Sequence, residues 1–232
     1  MEHEEFTWAG LFPWFKDLPP HVSNGLIVSV ILVIIVLLGF RQLKRTEYDI
    51  VPEPRLSFRN FLEIIVENIS KLVIDTMGER GKEFILIIGT LALFILFNNL
   101  SGLVPGFLPA TDNVNTTFAC SLTVFVMTHY YGIREHGIKY VRQFIGPYVW
   151  LAPLYFPIEL IGHLARPLSL GLRLFGNITG DHLVTAIFFS LIPLFIPLPV
   201  MFLGLFVAFV QTFVFILLSM AYFASAIAHE GH

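Results

Sequence analysis

The strongest constraint on the fold is the presence of apolar stretches long enough to cross a lipid bilayer. Neither Val22 to Phe40 nor Val200 to Ala228 contains a charged residue. A helix needs about 20 apolar residues to cross a hydrocarbon core about 30 Å thick. Only 13% of the residues are charged, against about 25% in soluble domains. The sequence therefore predicts an integral membrane protein built from helices.

The apolar runs predict an all-α polytopic membrane protein with a single membrane domain, residues 1–232. Five helices are expected to cross the membrane, at residues 22–40, 84–104, 118–131, 148–190 and 200–228. The fourth stretch is too long for a simple crossing at about 1.5 Å per residue. We expect it to be bent and tilted, and to form a long hairpin with the last helix.

A sixth helix, residues 56–77, is expected to lie along the membrane surface. Its apolar residues, Phe61 and Ile65 among them, recur at spacings of three and four, and Glu63 and Glu67 fall on the other face. A helix with one apolar and one charged face lies in an interface or against a partner. This segment is therefore predicted not to cross.

Basic residues indicate the orientation of the chain in the membrane. Arg41, Lys44 and Arg45 directly follow the first predicted crossing. Because cytoplasmic loops carry an excess of Lys and Arg, the sequence predicts an external N-terminal segment, residues 1–21, and a cytoplasmic C-terminus. The acidic start of that segment does not resemble a cleavable signal peptide.

The candidate functional stretch is RPLSLGLRLFGNITGDH, residues 166–182, with Arg173 at its centre. A charged side chain at mid-membrane costs about 2.5 to 3.5 kcal/mol on insertion scales, so Arg173 is a functional candidate. Charged, polar and very small residues around it advance by three or four: Glu159, Gly162, His163, Arg166, Ser169, Arg173, Gly176, Asn177 and Gly180. Small residues admit another helix and polar ones need a partner or water. The stripe is predicted to be a contact surface or a wet path.

Three further polar residues are candidates because of their helical position. His182 follows Arg173 by nine residues, which places it on roughly the opposite side of the helix and about 13 Å along it. Asp181, about 80° round the helix from Arg173, is a possible neighbour of either residue. Gln211 is the deepest polar residue of the last helix, and an antiparallel hairpin would bring it near Arg173.

The segments SLGLRLFGN, residues 169–177, and QTFVF on the last helix resemble subunit a of F-type ATP synthases, and the resemblance covers the whole chain in order. In that family the subunit is the membrane stator against which a ring of c subunits turns, beside peripheral-stalk b subunits, in the bacterial inner membrane. The resemblance implies no cofactor, no nucleic acid and no nucleotide site in this subunit. No Walker-type motif occurs in the sequence.

The resemblance also implies roles for individual residues. Arg173 would be the stator arginine that meets the ring carboxylates, with Gln211 as its partner on the last helix. The ion path, with two half-channels that do not meet, is expected to involve Gln211, Asn177, Glu159, Asp181, His182 and Ser169. Where this chain has His182, family members often have a carboxylate, and Asp181 is the acidic group beside it. We expect Arg173, Ser169 and Asn177 to face the ring, and His182 to lie in the external half-channel.

Other interpretations of these residues stay open at this point. Glu159 would either line a path or pair with His163 or Arg166. Asn177 would line water or bond a neighbouring helix. His163 and His129 are expected to be interfacial, and Arg166 structural. Intramembrane charges also occur in secondary transporters and proton channels, but paired repeats with interrupted helices are absent here. A passive anchor subunit would not need an arginine at mid-membrane.

Overall fold

A computed structural model describes residues 18–45, 58–104, 107–137, 140, 149–191 and 197–228. In these residues all regular structure is helical. Six α-helices follow in order: α1 Pro20–Arg45, α2 Phe58–Met77, α3 Ile85–Ser101, α4 Val114–His136, α5 Ala152–Leu191 and α6 Pro197–Ile227. Short 3-10 segments lie at Glu79–Phe84, Ala110–Asp112 and Val149–Leu151. The prediction of an all-α protein is confirmed.

Three helical segments are long and apolar enough to cross a membrane: Pro20–Gly39, Glu79–Ser101 and Leu198–Ile227. They match three of the five predicted crossings. The other two predicted crossings coincide with α4 and α5, which are helical but carry more polar residues. The arrangement of five crossings and one interfacial helix stays a prediction. The predicted external segment lies mostly outside the described residues, which begin at residue 18.

The helix α4 is longer at both ends than the predicted crossing at 118–131. It begins where the Asn113 side chain accepts a hydrogen bond from the backbone N–H of Asn115, and it ends at Gly137, whose φ is 57°. An asparagine N-cap and a glycine in the left-handed region are common helix boundaries. The difference arises because the first and last turns of α4 are polar, which hid them from a hydropathy pattern.

The helix α5 runs without interruption over 40 residues and contains Pro157 and Pro167. At about 1.5 Å per residue it is about 60 Å long. Each proline removes a backbone N–H donor from the helix interior, so packing against α4 and α6 must hold the helix together. The prediction of one long helix is confirmed, and its bend and tilt stay predictions.

The chain divides into two compact units, one ending at Ala110 and the other beginning at Thr111. The first unit contains α1 to α3. Its fully buried side chains include Val73, Phe84, Ile88 and Ile95. The prediction of a single domain stays a prediction.

The second unit contains α4, α5 and α6, which pack against one another pairwise. Its core is formed by fully buried apolar side chains from all three helices, among them Val124, Leu170, Leu174, Phe215 and Phe223. All of the predicted site residues belong to this unit.

Candidate functional site

The helix α5 places the candidate residues at three levels along one axis. Glu159 lies near its start, Arg173 near its middle and His182 in its last third. At about 1.5 Å per residue, Arg173 is about 21 Å from Glu159 and about 13 Å from His182 along the axis. We name the two polar ends of this unit the Glu159 end and the Asp112 end, after the carboxylate found at each.

Arg173 lies on an exposed side of α5. Ser169, Gly176 and Asn177 on neighbouring turns are exposed as well. Among the described residues Arg173 makes no hydrogen bond and no ion pair. A side chain added at Gly176 would meet no atom of the described chain within 4 Å, and the same holds at Gly162 and Gly180. The small residues predicted to admit a helix therefore leave an open surface around the arginine.

The side of α5 that faces the interior of the unit is apolar at the level of Arg173. Leu170, Leu174 and Ile178 are 1%, 0% and 4% exposed. Next to them Gly171 allows close packing, because a Cβ there would lie 2.9 Å from the Oγ of Ser121 and 3.2 Å from Phe118 Cδ2. On the inward side of α5, these three residues form an apolar strip between the two polar ends, which we name the apolar layer.

The predicted stripe is not one surface. His163 is 3% exposed and lies inside the unit, whereas Ser169 and Arg173 are exposed. The stripe's nine positions, at spacings of three and four, spread over about 140° of the helix circumference at about 100° per residue. One edge of the stripe is therefore buried, and the other is open.

Gln211 of α6 contacts Asn177 of α5. The amide Nδ2 of Asn177 donates to the Oε1 of Gln211, and Gln211 is 3% exposed. The Nε2 of Gln211 has no hydrogen-bond partner among the described residues. Asn177 thus bonds a neighbouring helix, which was one of its two expected roles. It lies one turn from Arg173, and the predicted pairing of Gln211 with Arg173 stays a prediction.

The Asp112 end is organised by a residue that is not among the predicted site residues. Asp112 lies directly before α4. Its Oδ1 accepts a hydrogen bond of 2.5 Å from Thr179, and its Oδ2 lies 3.3 Å from the Nδ1 of His182. Asp181, expected as a possible neighbour of His182 or Arg173, makes no hydrogen bond or ion pair within the described chain.

The charge of Asp112 is stabilised by these contacts. Burial disfavours its ionised form, but the hydrogen bonds from His182 and Thr179 and the charge of a protonated His182 outweigh burial, so the pKa of Asp112 is lowered. The sequence does single out Asp112 as a candidate. It is the only residue of the types Asp, Glu, Lys and Arg between Glu83 and Arg134. An isolated carboxylate in apolar sequence needs a partner.

At the Glu159 end, Glu159 pairs with His163. The Oε1 of Glu159 lies 3.2 Å from the Nε2 of His163. The rings of His163 and His129 of α4 meet edge to face, with centroids 5.2 Å apart. The guanidinium of Arg166 lies over the ring of Tyr222 at 5.5 Å. His163 is a buried member of this cluster, and its expected place at the interface stays a prediction.

A pocket of about 240 Å³ opens at the Glu159 end. Its walls come from all three helices: Ser121, Val124, Phe125, Thr128, His129, His163, Arg166, Pro167, Leu170 and Tyr222. Much of that volume is open to the outside, and the enclosed part has room for no more than about one water molecule beside the polar side chains. In the described residues no group of three or more His, Cys, Asp or Glu could hold a metal ion.

Known proteins resemble the chain over most of its length. The family described as ATP synthase A chain matches residues 25–224. "ATP synthase subunit a 1" of Syntrophotalea carbinolica is 50% identical over 212 residues, covering 91% of this chain and 87% of the relative. "ATP synthase subunit a" of Geotalea daltonii is 55% identical over 174 residues, covering 75% and 76%. That of Geobacter sulfurreducens is 49% identical over 206 residues, covering 89% and 86%.

Proposed function

Because the chain belongs to the ATP synthase A chain family, we propose that it is the proton-translocating stator subunit of a rotary ATP synthase. In this proposal α5 and α6 border a ring of c subunits, and peripheral-stalk b subunits hold the chain against rotation. The relatives' organisms are bacteria, so its site is the bacterial inner membrane. The N-terminus is assigned to the external side and the C-terminus to the cytoplasm.

One observation carries the proposal. The two polar clusters of the second unit lie at opposite ends of α5, with the apolar layer of Leu170, Leu174 and Ile178 between them. Arg173 lies between these ends and on the exposed side of the helix. Polar groups in a membrane protein mark ion pathways when they face cavities. Two polar regions separated by apolar residues are what two half-channels require if they connect only through the rotating c ring.

Arg173 supplies the fixed charge of the mechanism. Each ring subunit is expected to present a carboxyl group at mid-membrane, which stays neutral in lipid because an isolated charge there is costly. A guanidinium remains protonated in proteins and favours the ionised carboxylate beside it. The carboxyl group therefore releases its proton on approaching Arg173. It takes up another proton after it has passed.

The two ends of α5 supply the proton routes. We assign the external half-channel to the Asp112 end, with His182, Thr179 and Asp181, and the cytoplasmic one to the Glu159 end. Three other predicted residues lie nearer the arginine: Ser169, Asn177 and Gln211. We assign them to the region where a proton passes between a half-channel and a carboxyl group of the ring. Moving one charge through the membrane potential supplies about 2.3 kcal/mol per 100 mV. Because the routes do not meet, that energy is released only when the ring turns.

The decisive experiment is Arg173→Ala in the assembled complex. We expect ATP-driven acidification of inverted membrane vesicles to be abolished, while subunit composition and ATP hydrolysis by the soluble sector remain. Arg134→Ala is the matched control, because Arg134 is an exposed arginine in the last turn of α4. It should pump at the wild-type rate. Wild-type pumping by Arg173→Ala would overturn the proposal.

A further inference from the structure

The pocket at the Glu159 end holds two histidines that the stator mechanism does not require. We propose that His163 and His129 form a proton relay with Glu159, which holds an exchangeable proton in the half-channel at this end. The inference rests on the proposed function and deepens it. It assigns proton transfer to two residues that the sequence pattern had placed at an interface.

The geometry links the three groups in a chain. His163 Nε2 and Glu159 Oε1 are 3.2 Å apart, which is within reach of direct proton transfer. The His163 and His129 rings are in edge-to-face contact, with centroids 5.2 Å apart, and both line the pocket, so one water molecule there can contact both rings. Both histidines line that pocket, so a proton has a route from the pocket to the carboxylate.

The hydrogen bonding of His129 defines which nitrogen takes part. Its Nδ1 lies 2.9 Å from the carbonyl oxygen of Phe125. A carbonyl only accepts, so Nδ1 carries the hydrogen there and Nε2 is the nitrogen that gains a second proton. In transfer from His163 to Glu159, an N–H bond breaks at Nε2 and an O–H bond forms at Oε1. The ion pair becomes a neutral pair, and the total charge is unchanged.

The surroundings allow this proton to leave again. The titratable and charged groups around His163 come from every packed element: His129 of α4, Glu159 and Arg166 of α5, and Tyr222 of α6, with Tyr140 against the ring of His129. Burial and the positive charges of Arg166 and a protonated His129 oppose a protonated His163, whereas the carboxylate of Glu159 favours it. Tyr222 keeps Arg166 in place through the cation–π contact at 5.5 Å. Opposing charges make the proton exchangeable rather than permanently bound.

The test measures passive proton conduction through membrane vesicles from which the soluble sector has been removed. A potassium diffusion potential drives the flux, and the pH on each side is varied separately. His163→Gln keeps a hydrogen-bonding side chain but cannot titrate between about pH 5 and 8. We expect its conduction to fall about a hundredfold, the lower end of the loss on removing one acid–base group. In the wild type, the conduction rate plotted against the pH of one compartment should show an inflection. In His163→Gln this inflection should be absent.

Two further variants separate a relay from a packing role. His129→Gln should weaken the dependence on pH in the same compartment as His163→Gln. His182→Gln, at the Asp112 end, should change the dependence on pH in the opposite compartment. A histidine that only packs would leave the pH profile in place. If His163→Gln does not assemble, the profile of His129→Gln decides.

The outcomes distinguish the relay from the proposed function. A wild-type pH profile in His163→Gln, or in His129→Gln when it decides, would overturn the relay whatever the rate, while loss of pumping in Arg173→Ala would leave the stator function standing. Retained pumping in Arg173→Ala would overturn the function itself.

Discussion

Two glycines of α5 give a sharp test of which side of the helix meets a partner. Gly171 packs inward, where an added Cβ would lie 2.9 Å from Ser121 Oγ and 3.2 Å from Phe118 Cδ2. Gly176 points outward near Arg173, where an added Cβ would meet nothing within 4 Å. The same substitution is therefore expected to be less favourable at Gly171 than at Gly176.

The size of the difference follows from the two environments. Relieving the contacts at Gly171→Ala requires a shift of about 0.5 Å to reach ordinary carbon and oxygen separations. Overpacking of this kind costs about 1 to 3 kcal/mol. Replacing glycine by alanine inside a helix stabilises it by up to about 1 kcal/mol. This gain is the same at both positions, so it cancels when the two variants are compared. Gly171→Ala should be less stable than Gly176→Ala by about 1 to 3 kcal/mol, as measured by thermal unfolding of the purified subunit in detergent.

The functional half of the test uses a larger side chain on the open face. Gly176→Leu should leave the subunit's thermal stability close to that of wild type, because the described chain offers no clash there. Small residues allow another helix to approach closely, so a leucine beside Arg173 should hold the ring away and lower ATP-driven pumping on the order of tenfold. Wild-type pumping by an assembled Gly176→Leu complex would refute the assignment of this face to the ring.

Two more substitutions test the polar contacts. Asp112→Asn removes the charge that His182 and Thr179 share and should destabilise the subunit by about 1 to 2 kcal/mol. Since the pKa of Asp112 is lowered on folding, its contribution is complete above about pH 4 and is lost as the pH falls through the folded-state pKa. Thermal unfolding should show a deficit near pH 5 that shrinks as the pH is lowered toward about 2, and a deficit that grows over that fall in pH would contradict the sign. Gln211→Leu loses the bond from Asn177 but also removes a buried Nε2 without a partner, so its stability should change by less than about 1 kcal/mol. Its pumping rate should nevertheless fall, and an unchanged rate would argue against a role beside Arg173.

The helices were predictable because their signals are local. Hydropathy and periodicity located α1, the segment leading into α3, and α6, and they correctly indicated one long helix around Arg173. The prediction for α4 was short because its ends are defined by an asparagine cap and a glycine rather than by apolar residues. The spacing along α5 likewise set the distance and rotation between Arg173 and His182, since a helix has a constant rise and turn.

The partners of the site residues could not be read in the same way. Asp112 is 70 residues from His182, and Asn177 is 34 residues from Gln211. Such contacts depend on how each helix is rotated about its own axis, and that rotation is set by packing across the interface, as at Gly171 against α4. A rotation of one residue, about 100°, would exchange the buried and open faces of α5. Periodicity therefore located Arg173 among the candidates, and packing placed His163 inside, joined Asp112 to His182 and left the arginine on the open face.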